Sequence, residues 1–364
     1  MKFSAEREKL LAALQSVIGV VERRQTMPIL ANLLLSAERG TLQVTATDLE
    51  VELVAKAEIK SGADGKITVP GRKLLDICRC LPEAVTISVA VDGDKLTLKA
   101  GRSRFVLATL PSGDFPVVDE LAQQQSITLA QADLRRLLEK THFSMAQQDV
   151  RYYLNGMLLE TDGKMLRTVA TDGHRLALCE MDLPGKTTSQ QVIVPRKGIL
   201  ELQRLLGTEG DVSVTIGSNH LRAHIGDVRF TSKLIDGRFP EYSRVIPSAP
   251  PHAVVADREA LRAALQRTSI LANEKYRGIR LALKKNLLTL QAHNPEQEEA
   301  EEQVEVNYKG DELEVGFNVG YLLDALGAVD GAEVEIGITD GNSSCLVHAP
   351  GATSARYVVM PMRL

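Results

Sequence analysis

Residues 2–19 read KFSAEREKLLAALQSVIG: a short alternating strand, a charged turn, and a helix with apolar residues at Leu10, Leu14 and Val17. The same order returns at 126–144, SITLAQADLRRLLEKTHFS, and at 252–271, HAVVADREALRAALQRTSIL. Leu10, Leu14 and Val17 correspond to Leu134, Leu138 and Thr141, and to Leu261, Leu265 and Thr268. Each set marks one face of a 3.6-residue helix. A pattern that recurs twice at matched places points to internal repetition, which decides the fold before any motif is weighed.

A second element repeats on the same period. GKITVPGRKLLDICRCL (65–81), QQVIVPRKGILELQRLL (190–206) and LEVGFNVGYLLDALGAV (313–329) each read as strand then helix, followed by hairpin-like strands with turn signals at 92–94 and 217–219. Leu10, Leu134 and Leu261 are spaced by 124 and 127 residues, and Leu75, Leu200 and Leu323 by 125 and 123. The chain is expected to be α+β, in three versions of one domain at 1–124, 125–247 and 248–364, each built from two strand-helix-three-strand halves.

Composition fits a soluble globular protein: of 364 residues, 44% are hydrophobic and 25% charged. No apolar run reaches membrane-spanning length and MKFSAEREKL lacks a secretory h-region, so a cytoplasmic location is expected. Cys78, Cys80, Cys179 and Cys345 lack redox or zinc spacing and read as reduced thiols. Aromatics at 4%, with no Trp, disfavour a stacking platform for single strands. The net charge of −4 is unevenly spread, with basic to acidic counts of 16 to 16, 16 to 14 and 11 to 17 in successive thirds. The excess acidity centres on NPEQEEAEEQVE, with six Glu between 296 and 305.

RTVATDGHRLAL (167–178) gathers Asp172, His174 and Arg175, an acid, an imidazole and a guanidinium. LQVTATDLEVEL occupies the same slot in the first repeat, keeping the acid as Asp48 without a His, and LTLQAHNPEQEE in the third keeps neither. An Asp shared by tight turns is explained by its side chain bonding turn backbone, and that reading is preferred over an Asp172–His174 acid–base pair. No phosphate loop, dinucleotide fingerprint, zincin or nucleophile-elbow motif accompanies it. The seven His are dispersed, so no metal or cofactor is expected.

The repeated helices carry excess cations: Arg72, Lys73 and Arg79; Arg196, Lys197 and Arg204; Arg258, Arg262, Arg267 and Lys275. With one helix face apolar, these charges are expected to point away from the core. Equivalent faces gathered about an axis would line it with positive charge, suited to a phosphate backbone held without regard to sequence.

The stretches MPILANLLL, GRSRF, DVRYYLNGM, VATDGHRLA, VIVPRKG, FTSKLIDGRFPEY, NPEQEEAEE, GFNV and YVVMPMRL, in this order over essentially the whole chain, closely resemble the bacterial DNA polymerase III β subunit family, the sliding clamps. The resemblance implies a head-to-tail homodimeric ring, with helices lining the pore and sheets outside. It would tether the polymerase catalytic subunit, the clamp loader and other clamp-binding polymerases or repair proteins to double-stranded DNA, without catalysis of its own.

The resemblance also implies sites. DNA contacts fall on Arg24, Arg72, Gln148, Arg151, Tyr152, Tyr153, Arg196 and Lys197. A dimer interface sets Lys73, Arg102, Arg104, Phe105 and Leu107 against Ile270, Leu271, Glu296, Glu298, Glu299, Glu301 and Glu302. A pocket for short hydrophobic peptides uses Leu154, Thr171, Gly173, His174, Arg175, Leu176, Pro240, Arg244, Val245, Tyr321, Ser344, Val358, Val359, Met360, Pro361, Met362 and Leu364. Asn342 departs from the pattern at the pocket rim, where the family can carry an apolar residue. A repeat-built scaffold that binds proteins without encircling DNA is the alternative from another class.

Overall fold

The computed structural model describes residues 1–21, 27–118, 125–248 and 250–363. The first third runs β1 (Lys2–Glu6), α1 (Arg7–Val17), β2 (Asn32–Glu38), β3 (Thr41–Thr47), β4 (Val51–Glu58), β5 (Lys60–Ala63), β6 (Gly65–Pro70), α2 (Gly71–Cys80), β7 (Thr86–Asp92), β8 (Lys95–Ala100) and β9 (Ser103–Ala108). The middle third runs β10 (Gln125–Ala130), α3 (Gln131–Glu139), β11 (Gly156–Thr171), β12 (Arg175–Pro195), α4 (Arg196–Leu205), β13 (Asp211–Ile216), β14 (His220–Ile225) and β15 (Val228–Lys233). The last runs β16 (His252–Asp257), α5 (Arg258–Thr268), β17 (Gly278–Lys284), β18 (Leu287–His293), β19 (Glu299–Glu305), β20 (Leu313–Asn318), α6 (Val319–Ala328), β21 (Glu333–Ile338), β22 (Cys345–His348) and β23 (Ala355–Val359).

Each third is strand, helix and three strands, twice over, with two departures. The first adds β5. In the middle third the strands of the first half and the opening strand of the second merge into one long hairpin, paired from Gly156↔Pro195 to Thr171↔Leu176 with its register broken around Gly163.

Two compact units form. The first is Met1–Leu134 with Lys197–Leu234, the second Arg135–Arg196 with Ile235–Leu364. The middle repeat is therefore shared out rather than standing alone, because sheets run on from one repeat into the next. In the first unit the eight-stranded sheet has the order β10-β13-β14-β15-β4-β3-β2-β6, with Phe230 of β15 opposite Leu53 of β4. In the second, the six-stranded sheet has the order β11-β12-β23-β22-β21-β16, with Tyr357 of β23 opposite Ala177 of β12. A five-stranded sheet, β5-β1-β7-β8-β9, completes the first unit, and a four-stranded sheet, β19-β18-β17-β20, the second.

The helix faces are those the spacing predicts. Leu10, Ala13, Leu14 and Val17 of α1 are buried, and so are their equivalents Leu261, Ala264, Leu265 and Thr268 of α5. Burying each leucine stabilises by roughly 1.5–3 kcal/mol. Where Thr replaces Val, its hydroxyl is satisfied locally, Thr268 Oγ1 donating to the Ala264 carbonyl at 2.9 Å. Asp257 caps α5 by accepting from the Ala260 amide at 2.7 Å.

Several helix cations expected to point away from the core bond backbone of other elements, Arg204 staying exposed as it does so and Arg258 being half-buried. Arg258 donates to the Val329 carbonyl at 3.1 Å, just past the end of α6, and Arg204 to the Ser16 carbonyl at 2.7 Å in the last turn of α1. Carbonyls at a helix C-terminus lack intrahelical donors and carry partial negative charge, so they compete for long cationic side chains. Of the four free thiols Cys78, Cys179 and Cys345 are buried, and burial pushes Cys78 up to about 12.

Candidate functional site

The TDGHR turn joins β11 to β12 at the end of their hairpin. Asp172 Oδ1 accepts from the amides of His174 and Arg175 at 2.9 and 3.0 Å, and Oδ2 accepts from Arg175 Nε at 3.1 Å. Thr171 Oγ1 donates to the Arg175 carbonyl at 2.6 Å, and Gly173 takes the positive φ of 88° that closes the turn. The first repeat builds the same turn without His or Arg: Asp48 Oδ1 accepts from Glu50 and Val51 amides at 2.9 and 2.7 Å. Both oxygens of Asp172 serve the turn, as the repeat comparison anticipates.

The residues peculiar to the middle repeat build outward. Arg175 pairs with Asp324, donates to the Phe143 carbonyl at 2.7 Å and lies 4.5 Å over the Tyr321 ring. His174 stacks on that ring at 6.5 Å between centroids, and its carbonyl accepts the Met360 amide at 2.9 Å. The turn is thereby bound both to α6 and to the segment following β23.

Beside it lies a predominantly apolar cavity of about 160 Å³. Leu154, Thr171, Gly173, Arg175, Leu176, Pro240, Val245, Val358 and Met360, all expected at a peptide pocket, line it together. Leu176 and Val358 are cross-strand partners and face the same side. Val359, one residue on, faces the other side, where it is 1% exposed in the core with Cys345 and Tyr357. Strand alternation thus removes it from the cavity. His174 and Tyr321 stack beside the cavity without lining it, and Ser344, Pro361 and Met362 also lie off it, Met362 donating its amide to the Gly316 carbonyl at 2.7 Å. Arg244 pairs with Glu241 at 2.8 Å and stays largely in solvent. Exposed Asn342 donates its amide to Asp340 at 2.8 Å. Leu364 lies outside the described residues.

Two residues expected at DNA, Arg151 and Tyr153, also line this cavity. Arg151 is clasped by Asp149 at 3.0 and 2.9 Å and leans on Gly173, where an added Cβ would come within 3.0 Å of its Nη2. Hydrogen bonds from the Arg151 side chain, then from its amide, hold the Asp149 carboxyl at about 2, below its ordinary 3.8. The clasp is complete above about 3.8 and is lost as pH falls towards 2. Arg151→Met, which keeps the hydrogen bond from the amide, should raise the Asp149 midpoint towards its ordinary value in a carboxyl NMR titration; an unmoved midpoint would contradict the clasp. Glu241 and Tyr242 also line the cavity; they end the stretch FTSKLIDGRFPEY but were not among the expected pocket residues.

Other expected DNA contacts are scattered. Gln148 is exposed at φ 57° and Tyr152 is 58% exposed. Arg72 is exposed while donating to the Val21 carbonyl at 2.5 Å. Arg196 reaches the Met145 carbonyl at 3.4 Å and Lys197 meets Asp48 at 2.5 Å. Arg24 lies outside the described residues.

The expected interface residues sit on two sheet edges. Among the described residues strand β9 pairs only with β8, and it carries exposed Arg104, half-buried Phe105 and buried Leu107, with Arg102 just before it. Lys73 is exposed on α2. Strand β19 pairs only with β18 and carries Glu299, Glu301 and Glu302, with Glu296 and Glu298 in the preceding turn. Glu302 accepts from Arg267 of its own chain at 2.5 and 2.6 Å. Ile270 is 76% exposed and Leu271 half-buried in the turn after α5.

Residues 1–119, 128–241 and 243–363 match the N-terminal, central and C-terminal domains of the family described as DNA polymerase III beta subunit. The chain is 56% identical over 368 residues to the beta sliding clamp of Pseudomonas aeruginosa and 53% identical over 366 to that of Escherichia coli K12, covering all of both chains each time. Crystal structures of the P. aeruginosa subunit, and of the same clamp bound to griselimycin, superpose with a TM-score of 0.97 at 56% identity over the full chains. The Caulobacter crescentus subunit does so with 0.96 at 40% identity. Matched in all three domains and along its whole length, the chain belongs to the DNA polymerase III beta subunit family.

Proposed function

We propose that two copies of this chain close into a ring that encircles duplex DNA and slides along it, a processivity factor without catalysis of its own. The twice-repeated sheet continuation carries this reading. Leu53 meets Phe230 and, one repeat later, Ala177 meets Tyr357. The third occurrence has no partner strand in its own chain among the described residues. Hairpin pairing makes Phe105 the equivalent of Phe230, and Ala300 the equivalent of Leu53 and Ala177.

Carrying the register over sets Phe105 opposite Ala300, and Arg104 opposite Glu301, of a second copy. The same logic places Lys73, next to the equivalent of Lys197, by the partner's acidic turn with Glu296 and Glu298, since Lys197 meets the first repeat's turn at Asp48. On the same register Arg102 falls opposite Gln303, next to Glu302. Phe105 and Leu107 with Ile270 and Leu271 form the apolar centre. Each contact joins the head of one chain to the tail of the other, and two close the ring. The exposed ion pairs add only about 0–1 kcal/mol each, so they select the pairing while the apolar centre holds it.

The pore is lined by helices, and Arg24, Arg72, Gln148, Tyr152, Arg196 and Lys197 supply weak, interchangeable phosphate contacts. Such contacts let the duplex translate, where base-edge hydrogen bonds would pin it. Arg151 and Tyr153 are assigned to the peptide cavity. That cavity takes hydrophobic peptide ends from the replicative polymerase, the clamp loader and other clamp-binding proteins of the cytoplasm, with Met360 as an adaptable wall. Griselimycin on the P. aeruginosa clamp is in keeping with a ligand site in this fold.

The test is topological. Protein loaded on nicked circular DNA should stay bound through gel filtration at high salt and leave once the circle is linearised. Equal retention on both forms would refute encirclement and favour an open scaffold.

A further inference from the structure

The six-stranded sheet also carries an ionic network. Arg167 donates from Nε to Glu180 at 2.7 Å and from Nη1 to Glu160 at 2.8 Å, and Arg356 donates to the other Glu180 oxygen at 3.1 Å. Gln191 occupies the remaining Glu160 oxygen at 2.5 Å. Into this network reaches Tyr242, whose hydroxyl donates to Glu160 Oε2 and accepts from Arg167 Nη1 at 3.0 Å. Burial and then the Glu160 bond push its phenol up to about 12, so the hydroxyl remains a donor throughout the neutral range.

Tyr242 belongs to the segment that forms one wall of the peptide cavity through Pro240, Tyr242 and Val245, while Leu176, Val358 and Met360 come from the turn, sheet and C-terminal segment. Its ring also borders a second, larger cavity of about 710 Å³, shared with Arg167, Ile246 and Arg356. The half-buried ring packs against the apolar cluster that includes Leu178, Phe239 and Val358, but apolar packing gives its hydroxyl no fixed direction. The hydrogen bonds to a charged pair supply the fixed point.

We propose that Tyr242 is a positioning residue for the peptide site: anchored by Glu160 and Arg167, it holds the 240–245 segment as a preformed wall of the cavity. This rests on the reading of the cavity as the peptide site. A preformed wall spares the ligand the cost of ordering it, so loosening the anchor weakens binding without removing a contact.

Tyr242→Phe keeps the ring and deletes only the hydroxyl. Titrating a short fluorescein-labelled peptide ending in leucine and phenylalanine should give about tenfold weaker binding. Asp257→Ala, which removes the cap of α5 and touches neither the network nor the cavity, should lower the melting temperature and leave affinity as it was. Unchanged affinity in Tyr242→Phe, or an equal loss in Asp257→Ala, would overturn the proposal. The variant lacking 360–364 separates the two readings: peptide binding that survives that deletion sinks the site itself, whereas binding abolished there but intact in Tyr242→Phe sinks only the anchor.

Discussion

Ile270→Ala with Leu271→Ala is expected to turn the proposed dimer into a monomer. In the single chain Ile270 is 76% exposed, an unusual setting for a β-branched aliphatic, and it sits in a turn in contact with the edge strand β19. Covering it and Leu271 with Phe105 and Leu107 of a second copy stabilises by roughly 1.5–3 kcal/mol per side chain. Losing two at one contact weakens it about a hundredfold or more, since every 1.4 kcal/mol is tenfold. Both contacts of a two-membered ring lose at once. The exposed ion pairs are too weak to compensate. Sedimentation equilibrium should report the single-chain mass at micromolar concentration, with a circular dichroism spectrum like that of the parent, because Ile270 contributes little to its own chain's core. An undiminished dimer mass would remove these residues from the interface.

Deleting residues 360–364 should abolish peptide binding, by about a hundredfold or more if the lost wall leaves the hydrophobic anchor in water. Met360 is both a wall of the cavity and the residue whose amide ties the C-terminal segment to the His174 carbonyl. Strand β23 ends before the cut, and its pairing of Val358 with Leu176 and Leu346 stays in place. The dimer should therefore persist, β9, β19 and Ile270 being untouched. A fluorescence titration with a hydrophobic peptide gives the affinity, and sedimentation of the same sample the mass. Retained affinity would place the peptide elsewhere.

The helix faces were legible because they obey one local rule. Leu10 and Leu261, Leu14 and Leu265 fall at matched spacings, and each is buried. Asp172 was legible as a turn former because the first repeat offers a comparison lacking the His, and Asp48 makes the same backbone bonds. Chemistry alone would have made the acid, imidazole and guanidinium look like a reaction centre.

Where a long side chain ends up was not legible. Arg258 and Arg204 resemble outward-facing cations, yet they hold the ends of other helices, because carbonyls far away in sequence lack donors. Arg151 and Tyr153 follow Gln148 within a few residues, but the glycine at 173 makes room for the guanidinium against the cavity. Val359 was placed at the pocket by the resemblance, and only the pairing with β12 decides which of two neighbours faces it. Tyr242 closes the stretch FTSKLIDGRFPEY, but nothing local gives it a role, since its partners Glu160 and Arg167 lie about eighty residues upstream.

The amino-acid order by itself determined the threefold repeat, the strand and helix periods within it, the turn chemistry and the unequal charge of the two ends. All are properties of neighbours along the chain, set by side-chain spacing and backbone preference. Tertiary structure alone decided how the middle repeat is divided between two compact units, which residues close the cavity, and which edges remain open. Those depend on sheet register across distant segments, and a shift of one residue there reverses every side chain's face.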